Sequence, residues 1–229
     1  LWDALTGEIR EAKAFFQKDN LTTVPLILEP YQAVFMVFNK KIGKGKQGDT
    51  ENNYSDYKTV QNIKGKWEVN FDPKWGGPVS VTFTELIDWT LHSDEGIKYY
   101  SGTAVYNKTL NIDFEPQKDK QYFLQLGSVK DVGIAEVKIN GKNKGILWTS
   151  PFRIEISKEL QEGENILEIK VVNSWFNRVA GDEQFPDKKQ YTTTNAVLIN
   201  DFRGRPRKEI PLEPSGLLGP VTIEEAVAF

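Results

Sequence analysis

The residues best suited to chemistry lie in one segment, 173–183, which follows a strongly patterned strand. Asp182 and Glu183 are adjacent carboxyl groups, the side-chain type that general acid–base hydrolysis uses. Hydrolysis by such a pair, as at a glycosidic bond, requires carboxyl groups about 5 to 9.5 Å apart across a cleft. Neighbours in an extended loop point to different sides, so this pair fits poorly. The stronger interpretation is an acidic pair that binds Arg178 or backbone amides and braces the loop.

Trp175, Asn177 and Arg178 leave the same strand together. Loops cluster at the ends of β-sandwiches and often carry function there. An exposed Trp beside Asn and Arg could stack on a sugar ring and hydrogen-bond to its hydroxyl groups. The alternatives are that Trp175 closes the end of the core or that the segment contacts another domain. Trp148 is a further candidate for the same end, although a Trp in the core or at its rim is the commoner case.

Other reaction centres find little support. His92 is the only histidine and there is no cysteine, which excludes His clusters and thiolate metal sites. No Gly-x-Ser-x-Gly elbow is present, and the GKGK run lacks the P-loop spacing. We expect no cofactor, but a structural Ca²⁺ remains open, although scattered surface acids are the default and no EF-hand spacing exists. Acidic residues near predicted strand ends are Asp113, Glu115, Asp119 and Asp131.

β-Strands must position these candidates. Apolar residues alternate with charged ones in 137–139, 152–156 and 167–171. A period of two places each apolar set on one face of a strand. Asn140-Gly141 lies where the first run must reverse and favours a two-residue hairpin turn. Strands with one apolar face each need a second sheet, so the sequence predicts an all-β fold, an antiparallel jelly-roll β-sandwich.

The pattern divides the chain into three parts. Residues 1–41 are predicted to form a small β unit, the end of a preceding β-sandwich domain. In it, the apolar run 33–38 is typical of a strand covered on both faces. Residues 42–62 show no apolar period and are interpreted as a linker. Residues 63–229 carry short strands between turn signals, one of them over 196–202, and are predicted to form the β-sandwich.

The amino-acid composition limits the classes of binding partner that we expect for this chain. The net charge is −3, from 29 basic and 32 acidic residues. We therefore expect neither a nucleic acid nor an anionic membrane as the main partner. The longest apolar run is too short to span a bilayer. The chain begins with Leu1 and shows no targeting signal, and we expect it to be a fragment of a longer protein.

Four motifs resemble the galactose-binding-like jelly roll that accompanies many glycoside hydrolases: SGTAVY at 101–106, VKINGK at 137–142 followed by Gly145, WTSPFR at 148–153, and GENILEI at 163–169. A narrower resemblance is to bacterial α-L-rhamnosidase-type hydrolases. NSWFNR at 173–178, with GDE at 181–183, is similar to one of their segments, and PSGLLGP at 214–220 is similar to their closing segment. Residues 67–71, 75–78 and 86–100 also fit, so the resemblance covers nearly the whole chain.

The resemblance implies a role without catalysis. In that family the module lies at the C-terminus of a much longer enzyme, and an earlier barrel domain holds the catalytic carboxylates. We therefore expect an accessory region with no catalytic residue, which supports the catalytic domain of the same chain and the rim of its cleft. The parent protein would be periplasmic or extracellular.

Two alternatives remain. One is a carbohydrate-binding module that recognises plant or bacterial oligosaccharides. The other is an independent all-β polysaccharide-degrading enzyme, such as a lyase that uses Tyr and Lys. Residues for carbohydrate binding or for contact between domains are Trp148, Trp175, Asn177, Arg178, Asp182 and Glu183.

Overall fold

The computed structural model describes residues 1–39, 41, 43, 48, 51–193 and 211–227. This part of the chain is nearly all β, with sixteen strands, two short α-helices and two 3₁₀ turns. The predicted all-β class is therefore confirmed. No described helix is long and apolar enough to cross a membrane. The strand predicted over 196–202 lies outside the described residues.

Four short strands belong to the N-terminal unit: β1 (Trp2–Asp3), β2 (Phe16–Lys18), β3 (Leu21–Thr23) and β4 (Val34–Phe35). Strand β1 pairs with β4, and β2 pairs with β3, both antiparallel. Asp19 and Asn20 have φ angles of 51° and 61° and connect β2 to β3. Two positive φ angles in succession are what a tight type I′ hairpin requires.

Two larger sheets form the body of the molecule. In chain order its strands are β5 (Lys58–Asn62), β6 (Trp67–Asn70), β7 (Val81–Phe83), β8 (Thr103–Ile112), β9 (Lys120–Gln125), β10 (Ser128–Lys130), β11 (Ile134–Ile139), β12 (Lys142–Leu147), β13 (Arg153–Glu155), β14 (Gly163–Val172), β15 (Gly216–Gly219) and β16 (Thr222–Val227). One sheet has the order β12-β11-β14-β8-β6-β7, the other has the order β13-β9-β16-β5, and β10 pairs separately with β15. The 3₁₀ turns and helices are Pro73–Trp75, Trp89–Leu91, α1 (Glu95–Lys98) and α2 (Phe176–Gln184).

The core is one continuous cluster of apolar side chains drawn from both sheets. Val137 and Ile139 of β11 and Leu167 of β14 are buried, as are Leu124 of β9 and Ile223 of β16. Full burial of such a side chain contributes about 1.5–3 kcal/mol. This two-sheet arrangement is the predicted β-sandwich, and its jelly-roll connectivity stays a prediction.

The predicted hairpin turn is present at Asn140-Gly141, where φ is 50° and 75°. It joins the antiparallel strands β11 and β12. The Asn140 side chain also ties the turn to its neighbours, because Nδ2 donates to the carbonyl of Glu159 at 2.7 Å and Oδ1 accepts from the amide of Ile166 at 2.8 Å.

The predicted covered strand over 33–38 is wrong. Only Val34–Phe35 pair as a strand, with β1. Phe35 and Phe38 are 63% and 71% exposed, and Met36 and Val37 are also exposed. No second layer covers this run in the described part of the chain, which is why its apolar composition does not produce burial.

The predicted linker 42–62 contains a strand, because β5 falls inside it and pairs with β16. Asn53 is also buried and holds the N-terminal unit. Its side chain bonds to the amide and carbonyl of Ala14, at 2.8 and 2.7 Å, and to the carbonyl of Pro25 at 3.1 Å. The boundaries of the three predicted parts stay a prediction.

Arg153 joins the N-terminal unit to the four-stranded sheet. Its Nη1 lies 2.6 Å from Glu29 Oε1, and its Nε lies 2.7 Å from Glu224 Oε2. The guanidinium also lies 3.7 Å from the centroid of the Tyr57 ring. Because the Arg153 side chain is only 13% exposed, two carboxylates and one ring depend on a single poorly hydrated cation.

We predict that Arg153→Ala lowers the free energy of unfolding by about 2 kcal/mol, because it leaves two partly buried carboxylates without their cation. Urea denaturation measures this loss, and limited proteolysis should show faster cleavage within residues 1–39. Lys138→Ala is the control, since its ion pair with Glu168 is about 30% exposed and should cost less than about 1 kcal/mol. Equal losses in the two variants would contradict the role of Arg153.

Candidate functional site

The candidate residues lie at the end of the sandwich where β14 leads into α2. The predicted extended loop is wrong here, because Phe176–Gln184 is helical. Trp175 occupies the N-cap without a side-chain hydrogen bond, and Gly181 lies inside the helix. Because glycine disfavours helix interiors and a cap is missing, the local signal for a helix is weak.

Asn177 binds the chain where it returns to this end of the sandwich, at residues 213–215. It is 1% exposed. Its Nδ2 donates to the Glu213 carbonyl at 2.7 Å and to Ser215 Oγ at 2.9 Å, and its Oδ1 accepts from the Glu213 amide at 2.9 Å. Both ends of the carboxamide are therefore engaged with the returning chain, and its burial keeps it from a ligand in solvent.

The segment 214–220, to which the sequence resemblance drew attention, takes part in this buried network of hydrogen bonds. Ser215 accepts a hydrogen bond from Asn173 Nδ2 at 3.2 Å, and its amide donates to Asp88 Oδ1 at 3.0 Å. A Cβ on Gly216 would lie 2.4 Å from Trp89 Nε1, so only glycine fits. The motif closes the sandwich end and has a structural purpose.

Arg178 and Asp182 form a buried ion pair one helical turn apart, with Arg178 Nε 3.0 Å from Asp182 Oδ1. Asp182 Oδ2 accepts from the amides of Tyr191 and Thr192, at 2.9 and 2.7 Å, and from Thr192 Oγ1 at 2.7 Å. The Arg178 guanidinium lies 4.7 Å from the centroid of the Tyr191 ring. This is the bracing arrangement that the sequence suggested for Asp182.

Glu183 does not form an opposed carboxyl pair with Asp182. The two residues are neighbours on a helix, where consecutive side chains diverge by about 100°. Asp182 is buried, whereas Glu183 is partly exposed. Both oxygens of Asp182 are also engaged.

The exposed candidates are two Trp side chains. Trp175 is 46% exposed and meets Trp75 edge to face, with ring centroids 4.8 Å apart. Trp148 is 61% exposed and follows edge strand β12, beside the exposed Ile146. Leu147 and Val171 both lie opposite Ala135, so Trp148 and Trp175 follow strands that end at the same end of the sheet, with β11 between them.

A cavity of about 350 Å³ lies beside the Arg178–Asp182 pair. Its walls come from 76, 94–99, helix α2 and 185–191. We call it the Tyr191 cavity. Tyr99, Phe185 and Tyr191 line it, although the sequence did not single them out for this purpose. The sequence offered a signal only for the charged wall: Arg178 and Asp182 have the spacing of neighbours on one helix face.

Among the described residues, no group of three or more His, Asp or Glu side chains could hold a metal ion. Of the acidic residues considered for Ca²⁺, Asp131 accepts hydrogen bonds from the amide and hydroxyl of Ser174. A structural Ca²⁺ therefore stays a prediction without a donor set in this part of the chain.

Comparison with known proteins places this fold in a larger context. No protein-family model matches the chain. A Formosa agariphila protein named "Putative beta-glucuronidase" is 40% identical over 182 residues, which cover 72% of this chain and 16% of that protein. The solved rhamnosidase from Novosphingobium sp. PP1Y is 33% identical with a TM-score of 0.78, over 93% of this chain and 19% of that one. The chain is therefore similar to one region of proteins about five times longer.

We predict that Asn177→Ala lowers the free energy of unfolding by about 2 kcal/mol, because it leaves buried partners in residues 213–215 unsatisfied. Thermal and urea denaturation measure the loss. Asn111→Ala is the matched control, since Asn111 is exposed and its change should stay within about 0.5 kcal/mol. A neutral Asn177→Ala would mean that the network does not hold the closing segment.

Proposed function

We propose that this chain is a non-catalytic accessory β-sandwich region of a glycoside hydrolase of the α-L-rhamnosidase type. The similarity to a rhamnosidase over 93% of this chain, at 33% identity, supports it. The relative named as a glucuronidase also supports a region associated with glycoside hydrolases. The galactose-binding-like, C-terminal position and the periplasmic or extracellular location of the parent protein are part of this proposal.

The observation that carries the proposal is the apolar surface of the N-terminal unit. Only two of its hydrophobic residues are buried, Leu1 and Ala14. Its large exposed apolar residues are Trp2, Leu5, Ile9, Phe16, Leu21, Ile27, Leu28, Tyr31, Phe35, Met36, Val37 and Phe38. So many exposed apolar side chains in one small unit are typical of a contact site.

The catalytic domain of the same polypeptide is the proposed partner of this surface. The chain covers 19% of the similar rhamnosidase, so most of such a protein lies outside this region. Glu29 and Arg153 hold the unit against the sandwich. The sandwich would therefore present the unit's apolar side chains to the partner in a fixed orientation.

The absence of catalysis is argued from the carboxylates. Asp182 is the one fully buried carboxylate among the described residues, and its oxygens are engaged by Arg178, Tyr191 and Thr192. This fixed carboxylate supports a non-catalytic role, because glycoside hydrolysis needs two carboxyl groups that face each other across a cleft. No observation favours the independent enzyme.

A carbohydrate-binding module is the second candidate. The exposed rings of Trp148 and Trp175 favour it, because an aromatic face can cover the apolar face of a sugar. Asn177, Arg178 and Asp182 are buried and committed to one another or to the backbone, so they would act only by supporting such a surface.

We predict that this chain and the remaining part of its parent protein associate when they are produced as separate polypeptides. Phe35→Glu with Phe38→Glu should weaken the association at least about tenfold, because charges would enter an apolar contact. Surface plasmon resonance measures this change. The control is Leu91→Glu with Ile166→Glu, which adds the same charge at residues that are 79% and 56% exposed elsewhere. Equal weakening in both pairs, or no association, would contradict the proposal.

The same proposal predicts that the chain alone leaves aryl rhamnosides intact. Release of the aryl group is followed by absorbance, with the full-length protein as the positive control. Turnover by this chain at a rate typical of enzymes, with kcat of about 1 s⁻¹ or more, would refute a non-catalytic role.

A further inference from the structure

The Tyr191 cavity is a preformed site that the accessory role does not use. Its volume is about 350 Å³. Small-molecule sites occupy about 300–1,000 Å³, so this volume suits one small ligand and not an extended chain. The cavity lies at the same end of the sandwich as Trp175, since Arg178 lines it from the first turn of α2.

Glycines allow the walls of the cavity to close. A Cβ on Gly76 would lie 2.7 Å from the Tyr191 ring, and one on Gly181 would lie 2.7 Å from the Tyr99 ring. Either side chain would push an aromatic wall away. The backbone at these glycines therefore lets Tyr99 and Tyr191 line the same cavity.

The charges around the cavity are balanced. Three acids line it, Asp94, Glu95 and Asp182, together with three bases, Arg178, Lys188 and Lys189. Four of these groups already form ion pairs: Arg178 with Asp182 at 3.0 Å, and Lys188 with Glu95 at 2.5 Å. Because the charges cancel, the cavity offers no net attraction to an ionic ligand. A neutral ligand with several hydroxyl groups can donate to the carboxylates and accept from the ammonium groups at the same time.

Aromatic rings supply the remaining wall. Tyr99 and Phe185 meet edge to face with centroids 5.6 Å apart. Tyr191 is partly exposed, and Lys189 Nζ lies 4.7 Å from its ring centroid. The Tyr191 cavity therefore combines apolar ring surface with hydrogen-bond donors and acceptors from several elements. A pyranose has matching chemistry, with an apolar C–H face and a rim of hydroxyl groups.

We propose that the Tyr191 cavity binds one neutral pyranose unit, so that the accessory region contacts carbohydrate at a site separate from the exposed Trp148. This inference rests on the proposed association with a glycoside hydrolase. Weak binding is expected, with Kd on the order of 1 mM, because one sugar unit makes few contacts.

The test is a titration of the ¹⁵N-labelled chain with L-rhamnose, D-galactose and D-xylose, each up to about 50 mM and followed by NMR. The amide signals of Gly76, Gly96 and Gly181 report on the cavity, and Gly141 in the distant hairpin turn is the internal control. We expect saturable shifts at the cavity glycines with at least one sugar, and none at Gly141. Sodium D-glucuronate should bind at least about fivefold more weakly than the best neutral sugar.

Two variants locate the binding. Lys189→Ala removes a cavity donor and should weaken binding about tenfold, whereas Lys158→Ala, which removes an exposed Lys far along the chain, should leave it unchanged. Tyr191→Ala removes a wall and should abolish saturable shifts, while unchanged amide signals of Gly141 and Gly163 verify its fold.

Three results would overturn the inference: no saturable shifts with any of the three sugars, equal shifts at Gly141, or glucuronate binding as tight as the neutral sugars. Intact association of the chain with the rest of its parent protein would then leave the accessory function standing. Loss of that association alone would overturn the accessory function and leave this site in place.

Discussion

Two apolar sheet faces pack against each other in this chain. The need to exclude water from that contact determines where most other elements lie. The cluster between the sheets contains side chains from β6, β8, β9, β11, β14 and β16. A sandwich is open at its ends, where strands stop and backbone groups lose their partners. At one end, helix α2 and the segment that leads into β15 cover the opening. Polar groups that this cover buries need partners there, because an unsatisfied group in such a place is costly.

This requirement explains why the residues whose side chains are best suited to catalysis or ligand binding have a structural role here. Asn177 holds residue 213, which lies 36 positions further along the chain, and Asp182 holds Thr192, which lies 10 positions further along. Arg178 is held in turn by Asp182 and by the Tyr191 ring. What such an end presents to solvent is a fixed surface of aromatic and balanced charged groups. A surface of this kind is suited to recognition, whereas bond breaking needs carboxylates that are free to change their protonation state.

The N-terminal unit differs from the sandwich in that most of its apolar side chains are exposed. Its strands are short, its own core is almost absent, and its apolar side chains face outward. Asn53 and Arg153 attach it to the sandwich through hydrogen bonds and ion pairs and not through a shared apolar core. A sandwich that carries a unit with exposed apolar side chains is the form expected of a region that contacts a neighbouring domain. In the proposed function, the sandwich positions this unit and the unit makes the contact.

The periodic parts of the fold were accessible from sequence because their causes are local. Alternation over 137–139 and 167–171 determined which faces are buried, and Asn140-Gly141 determined the hairpin, since both depend on residues that are adjacent in the chain. Asp182 binds Arg178 and backbone amides, as the sequence suggested, although it does so from a helix and without Glu183.

Tertiary structure alone decided the rest. The apolar run 33–38 has the composition of a covered strand, but burial depends on whether a second layer is present, which composition does not encode. Helix α2 lacks strong local signals and is held by contacts with Ser101, 191–192 and 213–215. The Tyr191 cavity needs Tyr99 and Tyr191 to meet across the fold. Whether a polar side chain binds a ligand or holds the chain together depends on such distant partners, and only the folded molecule brings them into contact.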